Sequence, residues 1–520
     1  MTWPDRLAAA NSRGSMPRFN NRFEAQFLST LVAALVLVLV GSSIGYAQET
    51  VVDATTVVIG QCLGHETEPA CVLPSVYGPT GLTLNPSIPH FAHFLGDAQK
   101  VLNQTLSTSI ATQLATLPIS SPASGFTYRY DSASGAFVRT TDSFGPIYAE
   151  RAELIGRGKF SFGASYQRFR FGSLDGIDLQ NVPAVFQHVE PATGVALQPY
   201  HADVISTNDN IGLHMDQTMF YGTVGLTNRL DVSVSVPIVS VRMSVDSLAN
   251  IIRVAGDCFI PNGPLAGAQG SCPNGQLQDP HSFSDGTLTH TFSNSGSATG
   301  IGDITLRFKS NLVQSDKLRV AAALDLRMPS GDERKYLGAG AMGVKPFVAI
   351  TWPKRFSPHV NVGYQWNGQS ILAGDVTGAV IGENSSGQVT ITNGDPTKDN
   401  LPSQFFYTIG VDGGITKRLT IAFDYLGQTL FSAPRVTTSS LTTETITGST
   451  GTACPAKGGC VLPTIAGVKE TFSLNNGAIG LKYNLFGNLL LSGDVLFRID
   501  NHGLRQDVTP LVALSYSYGR

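Results

Sequence analysis

From about residue 157 to the end of the chain, apolar and polar residues alternate one for one in runs separated by turns. After the turn Thr227-Asn228-Arg229-Leu230, Val232, Val234 and Val236 alternate with Asp231, Ser233 and Ser235. The same pattern returns after Pro353-Lys354-Arg355, after Thr416-Lys417-Arg418 and after Phe486-Gly487-Asn488. A period of two sends successive side chains to opposite faces, so each run predicts a half-apolar β-strand and each tight turn a hairpin. The runs parse as strands over 157–171, 211–226, 231–245, 302–312, 318–328, 344–352, 359–368, 404–413, 419–429, 470–485, 489–499 and 508–518. That is an even number near twelve, as bacterial barrels require.

The connections alternate between two kinds. Short ones fall near Asn228, Ser315, Arg355, Lys417 and Gly487; long ones cover 172–210, 246–301, 329–343, 369–403, 430–469 and 500–507. Short turns at one end and long loops at the other are the pattern of an outer-membrane barrel. Face assignment points the same way. Ile304, Leu306 and Phe308 alternate with Asp303, Thr305, Arg307 and Lys309; Val320, Ala322, Leu324, Leu326 and Met328 alternate with Arg319, Asp325 and Arg327. Slipping this hairpin by one residue would turn Arg307 and Lys309 outward, at ~2–4 kcal/mol each near a bilayer midplane, so the apolar face is expected to meet lipid. The inward face then carries the candidate lumen-lining residues Asp303, Arg307, Lys309, Arg319, Asp325, Arg327, Asp424, Lys482, Asp494 and Arg498. Register brings Asp303 toward Arg327 or Arg307 toward Asp325 as cross-strand ties. These charges brace and solvate the interior on the plainer reading, and form a basic lining that favours anions or carboxylated aromatics on the sharper one. At Pro237 the apolar phase shifts from Val232, Val234 and Val236 to Val239, Val241 and Met243, which predicts a β-bulge.

Upstream the texture changes. An apolar run over 27–40, preceded by Arg13, Arg18 and Arg22 and followed by Gly45-Tyr46-Ala47, predicts a secretory signal over 1–47 cleaved after Ala47, with Met1 or Met16 as the start. Residues 48–150 read as an N-terminal extension or plug. Leu95, Ala98, Val101, Leu102, Leu106, Ile110, Leu114 and Leu117 recur at helical spacing until Pro118, which predicts an amphipathic helix over about 92–117. A small hairpin over 126–140 follows; if it joined the wall, the barrel would have fourteen strands.

Charged residues make up only 14% of the chain, well under the roughly 25% of soluble domains. The formal net charge of -3 points to no nucleic-acid partner. Six cysteines fall as close pairs, Cys62 with Cys71, Cys258 with Cys272 and Cys454 with Cys460. In an exported chain the spacing reads as three local disulfides, although six cysteines allow fifteen pairings; zinc is the competing reading, and no histidine stands at ligand spacing. No metal or cofactor is therefore expected. Gly41-Ser42-Ser43-Ile44-Gly45 lies within the signal and cannot act as a nucleophile elbow. His281-Ser282-Phe283-Ser284-Asp285-Gly286 gathers His, Ser and Asp in one long loop, and His65-Glu66 lacks the second histidine of a zinc protease motif.

Gly300-Ile301-Gly302-Asp303, Pro329-Ser330-Gly331-Asp332 and Val234-Ser235-Val236-Pro237 together resemble the outer-membrane family named for the MetA pathway of phenol degradation. More distantly, the chain resembles the fatty-acid and toluene channel proteins, with Asn85-Pro86 as an echo of their plug segment. The resemblance covers roughly 150–520 and implies an uptake channel for hydrophobic or aromatic compounds; it transfers no substrate-binding residues. The chain is thus expected to be all-β, a transmembrane antiparallel up-and-down barrel over 151–520, without catalytic residues. Its expected partners are outer-membrane lipid, a small-molecule solute, aromatic on the strength of the resemblance, and the barrel-assembly machinery of the bacterial outer membrane. Two other readings stand beside transport: a surface barrel acting in adhesion or envelope structure through its disulfide-pinned loops, and an outer-membrane hydrolase.

Overall fold

The computed structural model describes residues 60–77, 94–95, 97–116, 128–131, 136–139, 143–188, 204–252, 282–383, 389–442 and 460–518. The expected signal at 1–47, Cys258, Cys272 and Cys454 lie outside them.

Twelve antiparallel strands close into a barrel. In chain order they are β1 (Phe160–Phe171), β2 (Val204–Thr227), β3 (Leu230–Ile252), β4 (Thr305–Gln314), β5 (Arg319–Arg327), β6 (Gly343–Thr351), β7 (Phe356–Asn367), β8 (Gln404–Gly414), β9 (Leu419–Thr442), β10 (Val461–Phe486), β11 (Leu489–Arg498) and β12 (Val508–Tyr518). Each strand pairs with its sequence neighbour, and β12 returns to β1 with Leu511 opposite Gln167 and Tyr518 opposite Phe160. Every strand expected from the alternation is present. The hairpin of Tyr128–Asp131 with Ala136–Arg139 forms a two-stranded sheet of its own, so the wall has twelve strands and not fourteen.

Along the lower part of the wall, beside the short turns, apolar side chains point outward. Phe220, Val224 and Leu226 on β2, Ile479, Leu481 and Tyr483 on β10, and Val512 and Leu514 on β12 are all exposed, while Thr223, Lys482 and Ala513 between them are buried. A band of apolar side chains on the outside of a closed sheet describes a surface whose solvent is lipid. Higher up the polarity inverts. On β2, Ile211, Leu213 and Met215 are buried while His214 is exposed; on β1, Phe169 and Phe171 are buried and Arg168 is turned out to pair with Asp216 at 2.6 Å.

This inversion corrects the expectation at Pro237. β3 has no bulge there: its alternation runs unbroken, and Pro237 sits directly opposite Met219 of β2. Ser233 and Ser235 face the polar lower interior, whereas Val239, Val241 and Met243 occupy the same face where the interior has become apolar. The phase of the hydrophobic pattern changes because the surroundings change, not the backbone. The irregularity belongs to the partner strand. Below Pro237, β3 pairs with β4 from Leu230–Ser310 to Ser235–Thr305; above it, β3 pairs with the separate strand Thr289–Ile301. Pro237 has no N–H to leave unpaired at the break, and its carbonyl accepts from Gly302 at 2.8 Å.

Around this break the three motifs that carry the family resemblance meet. Ser330 donates from its hydroxyl to the Gly302 carbonyl at 2.8 Å and accepts from the Ile304 amide at 2.9 Å. Asp303 accepts from the amides of Gly331 (3.1 Å) and Ala339 (2.9 Å) and pairs with Arg327 at 2.9 Å. A Cβ on Gly302 would come within 2.9 Å of the Leu337 carbonyl, so the approach needs glycine.

The apolar core fills the barrel at the long-loop end. Helix α1 (Pro69–Tyr77) and helix α2 (Asp97–Thr116) contribute Val72, Leu73, Tyr77, Leu102, Leu106 and Ile110 to one cluster with Phe169, Met215, Val241 and Leu372. α2 lies within the helix expected at 92–117. Cys62 and Cys71 form a disulfide with Cα atoms 5.3 Å apart, and Cys460 is also disulfide-bonded.

Leu481→Arg, in the outward apolar band, is expected to cost ~2–4 kcal/mol, whereas Ser295→Arg, exposed on the separate strand Thr289–Ile301, should stay within ~0.5 kcal/mol. Denaturant titration of barrels refolded into vesicles measures both, and equal costs would refute the placement of the band.

Candidate functional site: the stoppered lumen

Residues 143–155, immediately before β1, cross the barrel interior at the short-turn end and are buried throughout. They are bound by every strand from β3 to β11. The Ile155 amide donates to Asp231 on β3 (2.8 Å), and Glu153 pairs with Arg319 on β5 (2.7 Å). Ala152 donates to the Thr351 hydroxyl on β6 (3.0 Å), and Arg151 pairs with Asp412 on β8 (2.6 Å). Glu150 exchanges two hydrogen bonds of 2.7 Å with the side chain of Asn361 on β7. Its carboxylate takes Lys309 and Arg307 of β4, both at 2.6 Å. On β9, one oxygen of Asp424 collects the successive amides of Ile147, Tyr148 and Ala149 at 3.1–3.4 Å, and the other meets His359 at 3.0 Å. Lys482 on β10 donates to the Pro146 carbonyl, and the Tyr148 hydroxyl reaches Asp494 on β11 at 3.2 Å.

This segment is a stopper, and its composition explains why. An irregular stretch enclosed by a barrel has backbone amides and carbonyls with no ladder to join. Here inward-facing carboxylates, hydroxyls and ammonium groups of the wall satisfy them, and side chains of the segment neutralise much of the wall's charge in return.

Above the stopper lies a cavity of about 100 Å³. Its floor is Tyr148 and Glu150, and its roof is Ala115 and Thr116 at the C-terminal end of α2. Gln365 fastens that roof by donating to the Ala115 carbonyl at 3.2 Å, a helix carbonyl with no partner within its own helix. The walls include Arg307, Asp325, Arg327, Lys345, Phe347 and Phe406.

The ten sequence candidates divide among these features. Lys309, Arg319, Asp424, Lys482 and Asp494 hold the stopper; Arg307, Asp325 and Arg327 line the cavity. Of the two alternative registers the structure has the one that sets Arg307 opposite Asp325, paired at 2.6 Å; Arg327 lies opposite Thr305 and reaches Asp303 diagonally at 2.9 Å. Arg498 stands apart near the long-loop end, bonded to Ser173 and Asp507. The sequence pattern did not single out Tyr148, Glu150, Arg151 and Glu153, nor Asp412, His359, Lys345, Phe347 and Phe406. Lys345 and Phe347 were within reach, since they alternate with outward-facing Val348 and Ile350.

Of the loop that gathered His, Ser and Asp, His281 lies outside the described residues. Asp285 caps its own turn: it accepts from the amide and hydroxyl of Thr287 and meets His290 at 3.0 Å. Those bonds, the Thr287 hydroxyl first, hold its carboxyl down at about 2. Among the described residues no group of three His, Cys, Asp or Glu side chains is placed to hold a metal ion.

Because Lys309 sits between Glu150 and two stopper carbonyls, Lys309→Met should cost ~3–5 kcal/mol as the loss of one partner of a buried pair. Adding Glu150→Gln should cost less than the separate losses combined, with a coupling of ~0.5–3 kcal/mol. A double-mutant cycle by denaturant titration measures this, and strict additivity would deny the contact.

The family model described as "Putative MetA-pathway of phenol degradation" matches residues 206–427. That stretch contains all three motifs quoted for the resemblance. No curated protein matches the chain. Among solved structures the chain is similar to an outer membrane channel from Pseudomonas putida F1, at 10% identity over 71% of this chain and 98% of that one, TM-score 0.36. It is also similar to a FadL homologue of Pseudomonas aeruginosa, at 10% identity over 71% and 91%, TM-score 0.26. A third is the toluene transporter of Ralstonia pickettii, at 14% identity over 70% and 91%, TM-score 0.24.

Proposed function

We propose that this barrel is a gated channel of the bacterial outer membrane for small apolar or aromatic molecules. The observation that carries the reading is the cavity between the end of α2 and the stopper, lined by aromatic and polar side chains together. Ligand sites have this character: a concave, partly apolar surface with a few fixed polar groups. The family description, which concerns phenol degradation, supports an aromatic solute.

Passage through the lumen requires residues 143–155 to move. The stopper is not itself a strand of the sheet; polar side chains hold it, so it can leave without unzipping a strand pair. Opening exchanges buried ion pairs for hydrated ones, which makes it sensitive to each pair that is broken.

Glu150→Ala removes the carboxylate that ties Arg307 and Lys309 to the stopper, leaving Lys309 only the Arg151 and Glu153 carbonyls. The purified variant, confirmed as folded by its gel mobility before and after heating, should conduct several-fold more than the wild-type protein in planar bilayers. Its vesicles should also take up a neutral one-ring solute faster. If the folded variant and the wild-type protein both remain sealed to ions and solute, the channel reading fails.

A further inference from the structure

The cavity has a charge imbalance that the stopper does not account for. Arg307 is shared between Asp325 and Glu150, and Arg327 is taken by Asp303 and Asn367. Lys345 has no carboxylate within ion-pair distance among the described residues, although Asp325 is its direct cross-strand neighbour. Both Asp325 oxygens are already occupied by the Nε and Nη2 of Arg307, at 2.6 and 2.8 Å. The Lys345 ammonium rests instead over the ring of Phe406, 3.9 Å from its centroid. A cation–π contact of this kind compensates only part of what a confined cation loses by leaving water.

The apolar side of the cavity is built around the same group. Phe347 and Phe406 meet edge to face at 5.9 Å, on strands that flank β7. They can meet because Gly363 lies opposite both of them: a Cβ there would fall 2.5 Å from Phe347 and 2.6 Å from Phe406. Next to them Gln404, 1% exposed, donates to Gln365, while its side-chain oxygen is buried without a partner among the described residues. The cavity therefore joins a cation lacking its anion, a pair of aromatic rings and an unused hydrogen-bond acceptor. By the measure in which one water needs roughly 10–15 Å³, its volume of about 100 Å³ suits a molecule of one ring.

We propose that this cavity binds a small aromatic monocarboxylate, with the carboxylate on Lys345, the ring against Phe347 and Phe406, and a ring donor such as a hydroxyl facing Gln404. The assignment rests on the channel reading for its biological sense, but the binding itself does not. Deprotonated benzoates supply the missing charge and the flat ring at once. Toluene supplies only the ring, and chloride only the charge.

Isothermal titration of the full-length protein in detergent, with benzoate, 4-hydroxybenzoate, toluene and chloride as probes, tests the site. Benzoate should bind about tenfold more tightly than toluene or chloride, and 4-hydroxybenzoate more tightly than benzoate. Lys345→Gln should abolish the preference for benzoate over toluene while sparing toluene, and Phe406→Leu should weaken both. Gln404→Leu should remove only the gain from the hydroxyl. Toluene binding as well as benzoate, chloride competing as an equal, or Lys345→Gln leaving benzoate unchanged would each overturn the proposal. The Glu150→Ala variant separates the two readings: if it conducts while benzoate fails to bind, the site falls and the channel stands. Benzoate binding in a barrel that never conducts would keep the site and sink the channel.

Discussion

Most charge turned into the barrel finds its partner inside, and the rest of the structure is arranged around that constraint. The wall presents Asp231, Lys309, Arg319, Asp412, Asp424, Lys482 and Asp494 to an interior from which bulk water is largely excluded. Residues 143–155 meet them with Glu150, Arg151, Glu153 and a run of backbone amides. Buried ion pairs add little net stability compared with apolar packing, yet losing one partner is costly. Such a network is therefore better suited to fixing position than to holding the fold together. It defines one place for the segment, while the strand ladders carry the barrel.

The barrel has two interiors stacked end to end. Near the short turns the inside is polar and the outside apolar; toward the long loops the relation reverses, and helices α1 and α2 bury their apolar faces against the inner wall. The cavity lies at the junction. Its chemistry is mixed for that reason: Phe347 and Phe406 share the space with Arg307, Arg327 and Lys345 because neither regime extends across it alone.

Period-two alternation made the strands, their number and their faces legible, since a one-residue slip would have turned Arg307 and Lys309 toward lipid. The tie of Arg307 to Asp325 followed from one of the two registers open to that hairpin. Pro237 was misread because alternation reports which environment each face meets, and that environment changes along β3 while the backbone does not. A plug within 48–150 is one of the two sequence readings, but nothing in the pattern marks 143–155 as the stopper, for a related reason. Residues 143–155 are irregular, so they have no periodicity to detect. Their role appears only when Glu150 meets Lys309 and Arg151 meets Asp412, partners 159 and 261 residues away in the chain. The Gly302, Asp303 and Ser330 positions were visible as motifs, but their joint function as the stitching of a strand break was not.

The stopper also constrains the order of assembly. It precedes β1 directly in the chain, and the barrel closes only when β12 reaches back to β1, from Leu511 to Gln167. A ring sealed first would have to be threaded afterwards. The shortest route has the forming sheet curl around a segment already lying along its inner face, with Glu150 and Asp424 in place to receive their partners before the last seam forms. On that route the segment that crosses the finished barrel is also the mandrel on which it is wound.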